Sequence, residues 1–392
     1  MIFESPPLDQ SDREVLELIE RQRERLKVHT QSAPKRWSGS LRRSTFARAI
    51  QGSNSIEGYN ATLDDALAVV EDEQPVDERT ETWLAIRGYR NALTYIGQAA
   101  TDPYFEFSKQ FLKSLHFMML SHEMSKHPGQ WRPGSIFVVN QKTGETVYEG
   151  PDVELINTLI EKLVEYLKTN TDDPTVVKAA MAHLNLTMIH PFKDGNGRMA
   201  RALQTLVIAL DGMLHPVFSS IEEWLGQNTE EYYLVLGMTG QGHWNPERSA
   251  LNWVRFCIKA HYQQAATLIR RNEEYSRLFD SVVELLKENA MPDRASLTVF
   301  DAALGFRVTN SRYRVDAEVR ELTASRDLKR LSDAGLIIPI GERRGRTYRA
   351  SDTLKGIRQR TRLPRPLENP YELIARRQPP AAIQSEPRLP GV

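Results

Sequence analysis

Apolar residues recur at helical spacing through most of the first 285 positions. The runs at 15–26 (VLELIERQRERL), 80–99, 106–120, 153–168, 175–189, 198–214 and 247–279 each place a stripe of Leu, Ile, Val, Ala or aromatic residues on one helical face. Ser11 with Glu14, and Thr62 with Asp65, have the spacing of capping boxes ahead of two of these elements. One segment breaks the pattern. SIFVVNQKTGETVYEG (135–150) has two β-branched and aromatic runs around KTG, which predicts a β-hairpin turning at Gly144 with no other strand nearby. An isolated hairpin is marginal in water, so its presence on a helical body invites a functional explanation.

From about residue 310 the rhythm changes. TNSRYRVDA and ELTASRDLKRLSDAG predict two short helices, the second closed by Gly335, followed by LIIPIG, a basic ERRGR loop and TYRA. Helix, turn, helix, strand, basic loop, strand is the order of a winged helix. The end of the chain, rich in proline and arginine, predicts a largely disordered tail. The fold class expected is mainly α. It has an N-terminal helical region (1–105), a helical core bearing the hairpin (106–262), a helical connector (263–309), a winged-helix core (310–352) and a tail (353–392).

A chain of 392 residues is too long for one ordinary core, which agrees with several units. Lys and Arg total 51, as do Asp and Glu, so net charge points to neither nucleic acid nor membrane, and such arguments must be local. The single cysteine, Cys257, lies in an apolar run; it precludes an internal disulfide and reads as a buried small hydrophobe. No stretch approaches a membrane span and the N-terminus lacks a leader pattern, so a cytoplasmic protein is expected.

Candidate chemistry concentrates at 189–201, IHPFKDGNGRMAR. Pro191 forces the preceding helix to stop, which frees the His190 ring from the packed face. Phe192 is the expected apolar anchor of the loop. Glycines at 195 and 197 allow a sharp turn and close approach of backbone to a phosphate, and Arg198 and Arg201 share a face of the next helix. Loop amides, a helix start and two guanidiniums make a polyanion site that a triphosphate fits. Asp194 fits beside it if Mg²⁺ bridges carboxylate and phosphate. His183, one heptad before His190, reads as a structural histidine. The zinc-like HEMSKH and P-loop-like GMTGQGHW strings fail on spacing and on the missing lysine.

The string HPFxDGNGRxxR resembles the motif of the Fic family of protein-modifying nucleotidyl transferases, and matches it at every fixed position. The resemblance implies ATP as substrate and His190 as the base that takes a proton from a target hydroxyl. It implies Asp194 as the holder of Mg²⁺, Gly195, Asn196 and Gly197 as contacts of the α- and β-phosphates, and Arg198 and Arg201 as contacts of the β- and γ-phosphates. It also implies that SNSIEG (53–58) is an inhibitory helix, with Ser53, Glu57 and Gly58 matching and Glu57 paired to Arg201 in place of the γ-phosphate. The hairpin resembles the family's target-docking flap, with Ile136, Phe137 and Val138 as the contact strand. Tyr232 and Tyr233 stand where relatives put adenosine contacts, although Gly240 replaces an asparagine found in some relatives.

The expected function is that of an autoinhibited protein adenylyltransferase acting on a Ser, Thr or Tyr hydroxyl of a target protein or of itself. Two alternatives stand beside it: a DNA-binding regulator whose Fic core senses nucleotide, and an enzyme that also removes AMP. Ser325, Arg326, Lys329, Arg330, Arg343, Arg344 and Arg346 are the candidate DNA contacts. A homodimer is compatible with the inhibitory helix, and no membrane partner is expected.

Overall fold

A computed structural model describes residues 1–31, 35–72, 80–139, 144–342, 345–364 and 367–377. The chain is mainly α, as the periodicity predicts. At its centre lie α7 (Thr175–Ile189) and α8 (Asn196–Ala209), packed along each other. Almost every residue of both is buried, so apolar or small side chains occupy all faces of the pair. Around them pack α4 (Glu81–Ala99), α5 (Lys109–Leu120), α6 (Ile156–Thr169) and α11 (Leu251–Glu288). At 38 residues, α11 is about 57 Å long and joins two cores. Its first half packs Trp253 and Phe256 into the central cluster, and its second half packs Leu278 and Val282 against the C-terminal unit.

The N-terminal region is built from α1 (Gln10–Gln31), α2 (Ser38–Ile56) and α3 (Leu63–Val70). Thr62 and Asp65 form a full capping box. The box expected at Ser11 and Glu14 forms instead one turn edge earlier, where Asp9 and Asp12 exchange side-chain-to-backbone bonds of 2.9 and 3.0 Å. A carboxylate serves that purpose as well as a hydroxyl, and Asp12 gains Arg255 as a partner there. Helix α2 lies unusually close to α9 (Glu222–Gln227). A Cβ on Gly52 would sit 2.3 Å from the Glu222 carbonyl oxygen, and one on Gly226 would sit 2.6 Å from the Gly52 Cα. This glycine contact sets the height at which the end of α2 reaches the core.

The hairpin is present, with β1 (Phe137–Val139) antiparallel to β2 (Thr146–Glu149); positions 140–143 of its turn lie outside the described residues. It is not isolated, contrary to expectation. Gly242–His243, within the P-loop-like string, forms β3 and pairs parallel with β2, following α10 (Thr229–Gly240). The sheet order β1-β2-β3 leaves β1 at an edge.

The C-terminal unit runs α12 (Ser296–Leu304), β4 (Val308–Thr309), α13 (Asn310–Ala317), α14 (Glu321–Asp333), β5 (Ile337–Ile340) and β6 (Thr347–Ala350). Its sheet order is β4-β6-β5. Helix α12 and strand β4, assigned to the connector by sequence, pack with α13 and β6 as part of this unit. Buried Phe306 meets Ala47, Ala66 and Leu67, and Glu71 binds both Arg43 and Arg312, so α2 and α3 are tied to this unit. The tail departs from the disorder expected of it. Ser351 caps α15 (Asp352–Thr361), and α16 (Pro370–Arg377) packs on α1, with Ile374 buried and the Tyr371 hydroxyl donating to Asp12 at 3.0 Å. Proline at the first turn is compatible with a helix, which composition alone concealed. Residues 378–392 lie outside the described residues. Among the described residues no helix is long and apolar enough to cross a membrane.

Candidate active site

Helix α7 ends as Pro191 dictates, with His190 at its C-terminus in the left-handed region at φ 50°. His190 Nδ1 lies 3.2 Å from the Thr187 carbonyl oxygen. That nitrogen therefore carries the proton and donates, which leaves Nε2 with a free lone pair. Burial, assisted by the charge of Arg132, lowers the imidazole pKa to about 4, so the ring is neutral at physiological pH.

The loop that follows is held from below. Phe192 is fully buried and stacks on His116, with ring centroids 3.7 Å apart. His116 Nδ1 accepts from the Gly129 amide at 2.9 Å, so its Nε2 carries the proton donated to the Asp194 carbonyl oxygen at 2.9 Å. His116 lies in an ordinary amphipathic helix and belongs to no motif, so only its contacts reveal its role. Asn196 turns its amide back onto the loop, exchanging two 2.9 Å bonds with the Phe192 backbone. Its side chain is thus a brace and not a free phosphate contact; the backbone at the start of α8 is what it offers to an anion. Gly195 adopts φ 75° at the N-cap, a conformation that favours glycine.

Two arginines of α8 are buried beside this loop. Arg198 Nε and Nη1 and Arg201 Nη1 have no hydrogen-bond partner among the described residues, a costly arrangement that an oxyanion would relieve. Tyr59 lies over the Arg198 guanidinium, 5.2 Å from it. The other face of Arg201 is fully engaged by the end of α2. Its Nε donates to Ser53 Oγ at 2.7 Å, and its Nη2 donates to the Ser53 carbonyl at 3.1 Å and to Glu57 Oε1 at 2.7 Å. The Glu57 carboxylate also crowds Gly197, where an added Cβ would lie 2.4 Å from Oε1. An acid therefore occupies the anion site at the start of α8. Gly58, at φ 85°, lets the chain leave α2 immediately after that carboxylate.

Asp194 accepts from the Gly195 amide at 2.6 Å and pairs with Lys126 at 3.3 Å. Arg198 and these contacts hold its carboxyl below the ordinary carboxylate range, against the effect of burial. Among the described residues no cluster of three or more acidic, histidine or cysteine side chains would hold a metal. One carboxylate beside a phosphate cradle suits Mg²⁺, which is commonly bound through few protein oxygens plus substrate phosphates.

The remaining expected contacts sit on α10, the flap and the C-terminal unit. Tyr232 is buried, its hydroxyl 3.0 Å from His183 Nε2, so its ring serves the core. Helix α10 packs on α11, which turns Tyr232 inward and leaves only Tyr233 half-exposed, its hydroxyl donating to the Ile56 carbonyl at 3.2 Å. His183 is structural as expected, also bonded to Gln204 at 2.6 Å. In the flap, Phe137 is exposed on β1, Val138 faces partly inward, and Ile136 precedes the strand. Ser325, Arg326, Lys329, Arg330 and Arg346 are exposed, while Arg343 and Arg344 lie outside the described residues.

Residues 106–208, which include the flap, His190 and both arginines, match the Fic/DOC family. The chain carries a Fic/DOC domain. The protein adenylyltransferase Fic of Nematostella vectensis is 26% identical to it over 247 residues, covering 62% of this chain and 54% of that protein. The protein of the same name from Drosophila melanogaster is 28% identical over 214 residues, covering 53% and 41%. The chain thus spans about half the length of the curated relatives it matches. A Fic family protein from Desulfovibrio desulfuricans G20 superposes with a TM-score of 0.58 at 18% identity, over 88% of this chain and 98% of that one. A Fic domain containing signaling protein from Bacteroides thetaiotaomicron VPI-5482 gives 0.52 at 18% identity, over 67% and 98%. These likenesses fix the Fic fold for the helical core.

Proposed function

We propose that the protein is an autoinhibited protein adenylyltransferase that moves AMP from ATP to a protein hydroxyl. The observation that carries this reading is a neutral His190, its Nε2 free, one short loop ahead of two buried arginines of α8 that have unpaired nitrogens. His190 Nε2 takes the proton of the target hydroxyl, whose oxygen bonds to the α-phosphorus as the bond to the β-phosphate oxygen breaks. Pyrophosphate leaves. The α8 amides with Arg198 and Arg201 stabilise the phosphate charge. Mg²⁺, when bound through Asp194, would neutralise charge between the α- and β-phosphates.

Autoinhibition follows from charge competition. Arg201 cannot grip a γ-phosphate and Glu57 at once, and two anions cannot share the start of α8. The exposed edge of β1 supports docking of an extended target segment by strand addition. Label position tests the reaction. With Glu57→Gly protein, α-labelled ATP should mark protein and γ-labelled ATP should not; retention of only the γ label would replace this reading with phosphate transfer.

A second activity is supported by the C-terminal unit. Arg326, Lys329 and Arg330 are exposed on α14, with Arg346 in the adjoining loop, as duplex DNA phosphates would require. Binding of labelled duplex that weakens with salt and with Arg326→Ala/Lys329→Ala supports it; undiminished binding refutes this surface.

A further inference from the structure

Arg132 stands between the flap and the base. It is nearly fully buried, and its backbone N–H donates to the Pro191 carbonyl at 2.8 Å. Its Nε donates to the His190 carbonyl at 3.0 Å, Nη1 to the carbonyl of Gly134 and Nη2 to that of Pro151. Gly134 leads into β1 and Pro151 follows β2, so one guanidinium fastens both ends of the hairpin. The same group holds the one residue of the loop that is both left-handed and poised as base. Gly150 fits between them: a Cβ there would lie 3.4 Å from Arg132 Nη2 and 3.8 Å from His190 Cβ.

Burying a guanidinium is expensive unless its donors are met, and here three carbonyls from three separate segments meet them. A second tie, from the Tyr148 hydroxyl to the Met188 carbonyl at 2.8 Å, fixes β2 to the end of α7 but does not reach His190. Arg132 makes no contact with Arg198, Arg201 or Glu57 in the structure. Its hydrogen bonds go to the two ends of the flap and to the loop backbone at His190 and Pro191, and its charge helps keep the His190 imidazole neutral.

The structure assigns Arg132 as the positioning residue that sets the flap and His190 in one register, so that a hydroxyl aligned by the flap meets the base. This rests on the reading of His190 as the base in AMP transfer. Losing the fork leaves the phosphate cradle intact while the base and flap drift. A misplacement of about 1 Å can cost about 100-fold in rate.

The test compares Arg132→Met and Arg132→Lys with their parent, full-length Glu57→Gly protein, by label transfer, ATP binding and backbone hydrogen exchange. The expected result is a kcat about 100-fold lower in Arg132→Met with ATP affinity within about threefold of the parent, because the phosphate cradle is untouched; removing the Arg132 charge also lets the His190 pKa rise, so the rates are compared on the upper plateau of their pH profiles. Arg132→Lys keeps the charge but lacks the fork, and should recover a small part of the rate. Exchange should quicken at Gly150 and Arg132, whose amides are bonded to Ile136 and Pro191. If Arg132→Met does not fold by thermal unfolding, Arg132→Lys decides on the same readings. A kcat within threefold of the parent, or unchanged exchange, overturns the assignment. If the Glu57→Gly parent itself transfers no AMP, the adenylyltransferase reading fails, while the exchange measurement still judges Arg132.

Discussion

Glu57 Oε1 lies 2.7 Å from Arg201 Nη2, and that ion pair joins the end of α2 to the second turn of α8 across 144 positions of sequence. The Arg201 side chain is wholly buried, and Glu57 raises its pKa further against the cost of burial. The pair is therefore a charge-assisted contact in which each partner satisfies the other. It is also the position at which an incoming triphosphate would compete.

Removing the Ser53 hydroxyl should weaken this lock without touching the carboxylate. In Ser53→Ala, Arg201 Nε loses its 2.7 Å acceptor inside the core. Stability should fall by about 1–3 kcal/mol, the usual cost of an unmet buried donor. Denaturant unfolding measures this, and basal self-labelling should rise above wild type while staying below Glu57→Gly.

Gly197→Ala separates the two anions. In wild type the new Cβ would meet Glu57 Oε1 at 2.4 Å and Arg201 Nη1 at 3.1 Å. Combined with Glu57→Gly, only the second contact remains, so any loss reports on the phosphate cradle. Calorimetric ATP affinity should drop about tenfold in the double variant relative to Glu57→Gly, equivalent to about 1.4 kcal/mol.

The motif loop was legible because its chemistry is written in consecutive residues: Pro191 stops a helix, Phe192 anchors and Gly195 turns, each by a local rule. Long amphipathic helices were legible for the same reason. What escaped was anything assembled from distant segments. His116 sits in an ordinary helical stripe 78 positions from the Asp194 carbonyl it holds. Arg132 serves carbonyls that have no sequence signature at all, and β3 is a two-residue strand that exists only because β2 is beside it. The burial of Tyr232 was not legible either, because a tyrosine ring reads alike in sequence whether it faces a ligand or a core. Glycine contacts such as Gly52 on Glu222 are visible only once helices are placed.

Acid should destabilise the protein early. Burial lowers His116 and His190 to about 4, and His183 and His261 to about 3, from an ordinary 6.5. Below 6.5 the unfolded chain takes up these protons first, so the stability that neutral histidines contribute at higher pH is lost as pH falls through 4 towards 3. Glu222, raised to about 7 by burial, acts in the opposite sense: its contribution is present below 4.5 and lost as pH rises through 7. The thermal midpoint should therefore fall steeply between pH 6 and 4, with proton uptake on unfolding. A midpoint flat over that window would show that these imidazoles are accessible in the folded protein.

Lys126 should compete with a divalent cation for Asp194, given its 3.3 Å contact with Oδ2. Lys126→Ala should lower the Mg²⁺ concentration needed for half-maximal ATP binding severalfold. An unchanged requirement would show that the lysine leaves the carboxylate without cost.

AMP transfer by His190 and its block by Glu57 are read together by incubating wild type, Glu57→Gly and Glu57→Gly/His190→Ala with Mg²⁺ and α-labelled ATP and following label on protein. Strong labelling is expected in Glu57→Gly alone, with wild type near background and the double variant silent. Labelling of wild type equal to Glu57→Gly, or labelling that survives loss of His190, would contradict this reading.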